Sequence, residues 1–363
     1  MMLNVAILGA GIGAKHLDGY LGLPDRYRVA AICDLDLEKA GALAAKAPDC
    51  AAVSDADAVI ADPAIDIIDI CLPPHLHGPV AFKAFAAGKH VICEKPVAGS
   101  VAEADRMLEA ARDAGRMLAP IFQYRYGRGL YQLAALQERG LAGKPLVATL
   151  ETHWNRGADY YAVPWRGKWA SERGGAVLGH AIHIHDLVTA FFGPVTEVAA
   201  ILDTRVNAIE TEDCAAISMR TMSGGLVTSS ITLGGADDRS RLRLVFDGLS
   251  AESGRNPYAP GEDDWTFTAR NPDEQPSIDA ALGEMEAEIA RMPSGYVGQF
   301  AAIADSLEGR PAPVVTAEDG VRSIELVAAI YHAARSGAHV HLPLDRDLPV
   351  CVDWVPGDVA VSG

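Results

Sequence analysis

"AILGAGIGAKH", residues 6–16, decides the fold of the first half of the chain. An apolar run ends in glycines, and a helical pattern follows them at once. Gly9, Gly11 and Ala14 meet the spacing G-x-G-x-x-G/A. In that fingerprint the first glycine allows a tight turn, the second a close backbone approach to a pyrophosphate, and the third small residue a close helix contact. Ile12 and Gly13 complete the turn, and the helix that starts there offers free N–H groups and a positive dipole end to phosphate. Asp34 closes the next apolar run, in "VAAICDLD", roughly twenty residues beyond the glycines, where a carboxylate accepts the adenine-ribose hydroxyls and repels a 2'-phosphate. The pattern therefore predicts a bound NAD and disfavours NADP. Capping of the following helix is an alternative use of Asp34, although Asp36 serves that end equally well.

Outward from this turn, "NVAILGA", "RVAAICD", "IDIIDICLP", "HVICEKP" and "MLAPIFQ" read as strands. Their continuous hydrophobicity is that of strands buried on both faces. Between them "AKHLDGYLGL", "LEKAGALAAKA", "HGPVAFKAFAAG" and "SVAEADRMLEAARDAG" carry helical periodicity. Repeated β-α units imply an α/β fold with a doubly wound parallel sheet, the Rossmann arrangement, over residues 1–122. Residues 123–363 read as an α+β domain on a largely antiparallel sheet. There "LVATLETHWN" predicts a strand, and "CAAISMRTM" and "LVTSSITL" predict a hairpin around Ser223-Gly224-Gly225. "LRLVFDG" predicts a further strand, residues 253–276 an irregular loop, and three helical stretches fill much of the rest.

A net charge of -17 argues against nucleic acid or an anionic membrane surface as partner. The six cysteines are scattered without a C-x-x-C pair, which suits a reducing compartment. No basic region followed by an apolar signal segment opens the chain, and no apolar run approaches the length of a membrane span. The expectation is a cytoplasmic protein.

With "CLPPHLH" (71–77) and "GKHVICEKPVAGSVAEAD" (88–105), above all Glu94-Lys95-Pro96, the chain resembles the glucose-fructose oxidoreductase / inositol dehydrogenase family (Gfo/Idh/MocA) over nearly its whole length. The resemblance implies that Pro73, Pro74 and His77 line the cofactor, that Glu94 lies near the nicotinamide ribose, and that Lys95 reaches the substrate hydroxyl. It implies polyol contacts at His153 and Asn155, which share one face of a strand. Arg125, in "FQYRYGR", matches an arginine near the family's active site, with an interdomain ion pair as its alternative role. An exposed face of the second sheet commonly dimerises in this family, so a homodimer or homotetramer is expected.

"GGAVLGHAIHIHDL" (174–187) gathers three histidines and an aspartate. Aligned to the family's helix, His183 takes the position of the proton acceptor and Asp186 that of the last aspartate. Gly179 stands where the family carries a further aspartate. At roughly 100° per residue His180, His183 and Asp186 share a helix face and His185 points away. Proton transfer by His183, with His180 and Asp186 as substrate contacts, is preferred to a metal site, since no second set of ligands accompanies the histidines. Tyr160, Trp165 and Trp169 are candidates either for an aromatic wall against a sugar or for the core.

These residues predict an NAD-dependent oxidoreductase acting on a small-molecule sugar, sugar derivative or cyclic polyol, with Lys95 and His183 catalytic. Two alternatives stand beside it: a lyase or glycoside hydrolase that oxidises its substrate transiently with tightly bound NAD, and a non-catalytic NAD- or sugar-binding protein.

Overall fold

The computed structural model describes residues 2–357. Met1 and residues 358–363, the outermost ends of the two expected domains, lie outside the described residues. Two compact units form, one from residues 1–123 with 296–324, the other from 124–295 with 325–363.

The first unit holds a six-stranded sheet of β1 (Leu3–Leu8), β2 (Tyr27–Cys33), β3 (Ala51–Val53), β4 (Ile67–Ile70), β5 (His90–Cys93) and β6 (Leu118–Pro120), in the order β3-β2-β1-β4-β5-β6. Every pairing is parallel. The chain order reverses between β1 and β4, which is where doubly wound sheets bind ligands at the carboxyl ends of their strands. β1, β4 and β5 are almost wholly buried, as strands rich in Ile, Val and Leu between two helical layers are, with the charged Asp69 enclosed in β4. Five strands were predicted and six are found. The extra one, β3, has three residues, mostly exposed, at the sheet edge, too short for a period to register. Helix α1 (Gly13–Leu21) packs its His16, Leu17 and Tyr20 inward, and Tyr20 stacks on Phe300 with ring centroids 4.1 Å apart.

The second unit is built on a mixed eight-stranded sheet. It comprises β7 (Pro145–Asn155), β8 (Val195–Asp203), β9 (Cys214–Thr221), β10 (Leu226–Thr232), β11 (Gly234–Phe246), β12 (Leu249–Glu252), β13 (Thr266–Ala269) and β14 (Val340–His341). The order is β13-β12-β11-β7-β10-β9-β8-β14, and only β7 with β10 pairs in parallel. The predicted hairpin is β9–β10. The predicted loop at 253–276 contains β13, whose short "TFTA" is masked in sequence by the Pro, Gly and Asp around it. Along β7, Ala148, Leu150, Thr152 and Trp154 are buried while Val147, Thr149, Glu151, His153 and Asn155 face the other side. This alternation gives the sheet a core face and an open face.

The helix Ile182–Phe192 is enclosed on almost every side, which explains why its apolar residues show no narrow stripe. A π-helical turn, Val177–Ala181, leads into it. Such turns occur mostly as local insertions in helices, frequently at functional sites.

Candidate active site

In the first unit the glycine turn is fixed by contacts that a side chain would break. Gly9 has φ +106°, and a Cβ there would stand 2.3 Å from the Cys71 carbonyl oxygen, so only glycine fits. A Cβ on Gly13 would meet Ile7 Cγ2 at 2.7 Å. Close packing of helix on strand therefore falls to Gly13, one residue before the Ala14 that the spacing suggests. Gly11 has nothing within 4 Å of its Cβ position, so this side of the turn is open to an approaching group. Ile12 starts α1 without a side-chain cap; within the first turn Ala14 N–H donates to the Gly11 carbonyl oxygen at 3.2 Å and Lys15 N–H to that of Ile12 at 2.8 Å, and the positive end of the helix dipole lies at this turn.

Asp34 adjoins the turn. Its Oδ2 accepts the Ala10 N–H at 2.8 Å and its Oδ1 the Asp36 N–H at 2.9 Å. The helix cap is Asp36, which accepts the Lys39 N–H at 3.2 Å. A carboxylate offers about four lone-pair directions, so two backbone donors leave Asp34 able to accept ribose hydroxyls. An open glycine turn, an uncapped helix start and this acceptor together fit a dinucleotide.

The remaining residues of this half follow β4 and β5. Pro73 is exposed and Pro74 opens a short 3-10 turn. His77 is fully buried, with Nδ1 2.9 Å from the Pro96 carbonyl oxygen and Nε2 2.8 Å from that of Leu72; burial lowers its pKa. It ties the two loops together. Glu94 accepts the Lys95 N–H at 2.9 Å, and Lys95 is half-buried at the carboxyl end of the sheet, before a cis peptide bond to Pro96. The predicted cofactor residues are thus brought to the ends of the adjacent strands β2, β1, β4 and β5.

In the second unit the histidine helix is clamped at its start by Glu212. The buried Glu212 carboxyl accepts the N–H groups of Gly175 and Val177 at 3.1 and 3.0 Å and the Tyr331 hydroxyl at 3.0 Å. Burial pushes its pKa up to about 7. A Cβ on Gly175 would stand 1.9 Å from the Glu212 carbonyl oxygen, which is why the helix opens on glycine. Nothing in "IETEDC" marks Glu212 as other than a solvated charge, so sequence reasoning missed it.

The three histidines pack against different neighbours. His183 is buried and stacks on Tyr124, ring centroids 4.3 Å apart and planes at 21°. His180 meets the edge of Trp154 at 5.0 Å, and its Nε2 lies 3.4 Å from the Tyr160 hydroxyl. His185 turns to the sheet, with Nε2 3.0 Å from Ser229 Oγ, and burial pulls its pKa down to about 4. The separation of His185 from the other two follows the helical reading. The chain also forms a forked ion pair between Arg125 and Asp186, with Nε–Oδ2 at 2.7 Å and Nη2–Oδ1 at 2.6 Å. These two predicted substrate contacts thus hold each other.

His153 and Asn155 lie on the open face of β7, where His153 Nε2 is 3.0 Å from Ser230 Oγ. The side chain that joins His180 on the core face is Trp154, between them in sequence. The aromatic group divides likewise: Tyr160 reaches His180, Trp165 is half exposed, and Trp169 is buried beside Tyr331 and donates to the Glu210 carbonyl oxygen. A cation completes the surroundings of His180, since Arg156 lies over both Trp154 and Tyr160 and pairs with Asp238 at 2.9 Å. At Gly179 an added Cβ meets nothing within 4 Å, so packing does not require glycine there. No helix among the described residues is long and apolar enough to cross a membrane.

Comparison with known proteins places these halves in context. The D-glucoside 3-dehydrogenase of Escherichia coli K12 is 26% identical over 94% of this chain and 97% of its own length. The NADP-dependent scyllo-inositol 2-dehydrogenase of Bacillus subtilis 168 is 25% identical over 92% and 94%. Among solved structures, the WlbA dehydrogenase from Bordetella pertussis, in complex with NADH and UDP-GlcNAcA, superposes with a TM-score of 0.81 at 26% identity, covering 95% of this chain and all of that one. The family model of the oxidoreductase NAD-binding Rossmann fold matches residues 3–122, and that of the oxidoreductase C-terminal alpha/beta domain matches residues 137–342. The chain belongs to the Gfo/Idh/MocA family of NAD-binding oxidoreductases.

Proposed function

We propose that the protein oxidises a hydroxyl of a sugar, sugar derivative or cyclic polyol. The observation that carries this reading is the buried histidine pair, with His183 stacked on Tyr124 and His180 beside Trp154 and Tyr160. Aromatic faces pack well on carbohydrate C–H surfaces, and an imidazole takes up a proton near neutral pH. Lys95 hydrogen-bonds the reacting hydroxyl, and His183 accepts its proton. His180 binds a neighbouring hydroxyl. The Arg125–Asp186 fork and the Glu212 clamp hold the helix that presents both histidines. NAD, when bound by the glycine turn, Asp34 and the loops after β4 and β5, supplies the hydride acceptor. The first unit serves as the cofactor-binding domain and the second as the substrate-binding and assembly domain; residues 296–324, expected within 123–363, belong to the first unit. The dehydrogenases of glucosides and of scyllo-inositol above support the substrate class. A panel of free sugars, glycosides, nucleotide sugars and inositols, followed by NADH formation, tests it; silence across the panel at saturating NAD would count against the reading.

Asp34 carries a separate expectation. NAD binds at least about tenfold more tightly than NADP, a difference of about 1.4 kcal/mol, because the extra phosphate meets a carboxylate. Fluorescence titration with both cofactors measures it, and equal affinities would remove the argument.

The open face of the second sheet supports a proposal for assembly. Ile201, on β8, is 74% exposed, and Val147 and Leu226 are exposed as well. A homodimer or homotetramer that covers this face removes them from water. Ile201→Glu shifts the protein toward monomer in light scattering; a wild-type monomer at micromolar concentration would contradict this.

A further inference from the structure

Beneath the glycine turn, α1 sends His16 into a fully buried polar cluster. Its Nδ1 lies 2.8 Å from Asp69 Oδ2 and its Nε2 3.0 Å from Glu94 Oε1. Tyr20 donates to Asp69 Oδ2 at 2.8 Å, and Tyr296 donates to Glu94 Oε1 at 3.2 Å. Cys71 Sγ stands 3.4 Å from His16 Nδ1. The His16, Asp69 and Cys71 ligand atoms lie within 4.8 Å of one another, the spacing of a metal site. Their polar atoms already satisfy each other, however, and an imidazole donating to a carboxylate on each side must carry protons on both nitrogens. Burial pulls the His16 pKa down, and the Asp69 carboxylate outweighs it and raises the pKa well above the usual histidine value.

Groups that feel the Glu94 charge include His16 from α1, Cys71 after β4, Cys93 at the end of β5, His77 and Tyr296, with Glu103 acting on the same His77 and Cys93 and Lys95 next in sequence. Burial raises both thiols and the phenol and lowers His77, so these four are neutral at pH 7. His16 is therefore a cation set between Asp69 and Glu94, and these three groups by themselves carry a net charge of -1.

We propose that His16 is a positioning residue for the reaction: it ties the helix that opens at the glycine turn to the Glu94 carboxylate and, through it, to the backbone of Lys95. The cofactor turn and the lysine are thereby built on one buried charge network. The inference rests on the reading of Glu94 and Lys95 given above. It differs from a merely structural role in its dependence on charge. Without His16, two buried carboxylates face each other uncompensated, and one of them takes up a proton.

His16→Gln should lower kcat by about tenfold or more with the sugar KM within about threefold, and should add an acid limb to the pH profile as Glu94 or Asp69 protonates. His16→Gln combined with Asp69→Asn restores the net charge of -1. It should erase the new limb and recover most of the turnover, although it removes a second ionic partner. On the unsubstituted protein without cofactor, nitrogen-15 histidine spectra should show His16 as an imidazolium through neutral pH. A neutral His16, an unchanged pH profile in His16→Gln, or a double variant as impaired as the single would each overturn the proposal. Should the wild type oxidise no sugar, the functional reading fails, and the pH dependence of NAD affinity in the same variants still decides the role of His16. A new ionisation in the single variant that the double variant removes supports it, and its absence overturns it.

Discussion

Lys95→Ala is expected to lower turnover by roughly a hundredfold or more while leaving NAD affinity close to that of the wild type. The lysine follows β5 at the carboxyl end of the parallel sheet, and its backbone N–H is held by Glu94 at 2.9 Å. Its backbone is thus fixed independently of its ammonium, and truncation removes the ammonium without releasing the loop. The proposed phosphate and ribose contacts of the cofactor lie on the glycine turn and Asp34, which the substitution does not touch. Steady-state kinetics on an identified substrate, with NAD binding measured by fluorescence, separate the two effects. Turnover near the wild-type value would show that the hydroxyl is handled elsewhere.

His183→Ala is expected to cost about a hundredfold to ten-thousandfold in kcat, the range for removal of a general base. Its ring is buried against Tyr124, so the substitution removes the imidazole proposed to accept the proton. His185→Ala is the control. That ring is fully enclosed and bonded to Ser229, so its loss lowers stability by roughly 2 kcal/mol or more. Turnover measured below the lowered melting temperature should persist. Activity should also survive prolonged chelation, since the three rings turn to Tyr124, to Trp154 with Tyr160, and to Ser229, and do not converge on one point. Stoichiometric zinc, with activity lost on chelation and restored by zinc, would replace the proton-transfer role with a metal centre.

The first unit was readable because its signals are local. Three glycines, a strand before them and a helix after them fall within a few consecutive residues, and continuous hydrophobicity marks strands buried on both faces. The edge strand β3 escaped because three exposed residues carry no period. In the second unit the decisive facts are tertiary. On β7 the polar His153 and Asn155 drew attention, but Leu150, Thr152 and Trp154 face the core, and a one-residue change of register reverses every side chain. Arg125 and Asp186 are 61 residues apart, and neither announces its partner. Glu212 is an ordinary acid in sequence and becomes a clamp only where the chain returns to Gly175. His16 was absorbed into the helix after the glycine turn, because its carboxylate partners arrive 53 and 78 residues later.

The most direct test follows the hydrogen. Once the panel yields a substrate, that sugar or polyol is deuterated at the carbinol carbon and incubated with enzyme and NAD, and the NADH is isolated and weighed by mass spectrometry. The account predicts one deuterium in each NADH and one carbonyl product, a ketone or a lactone, formed for every NADH. Protiated NADH, or a product that accumulates with no net NADH, would contradict it, the latter marking transient oxidation within a lyase or hydrolase cycle.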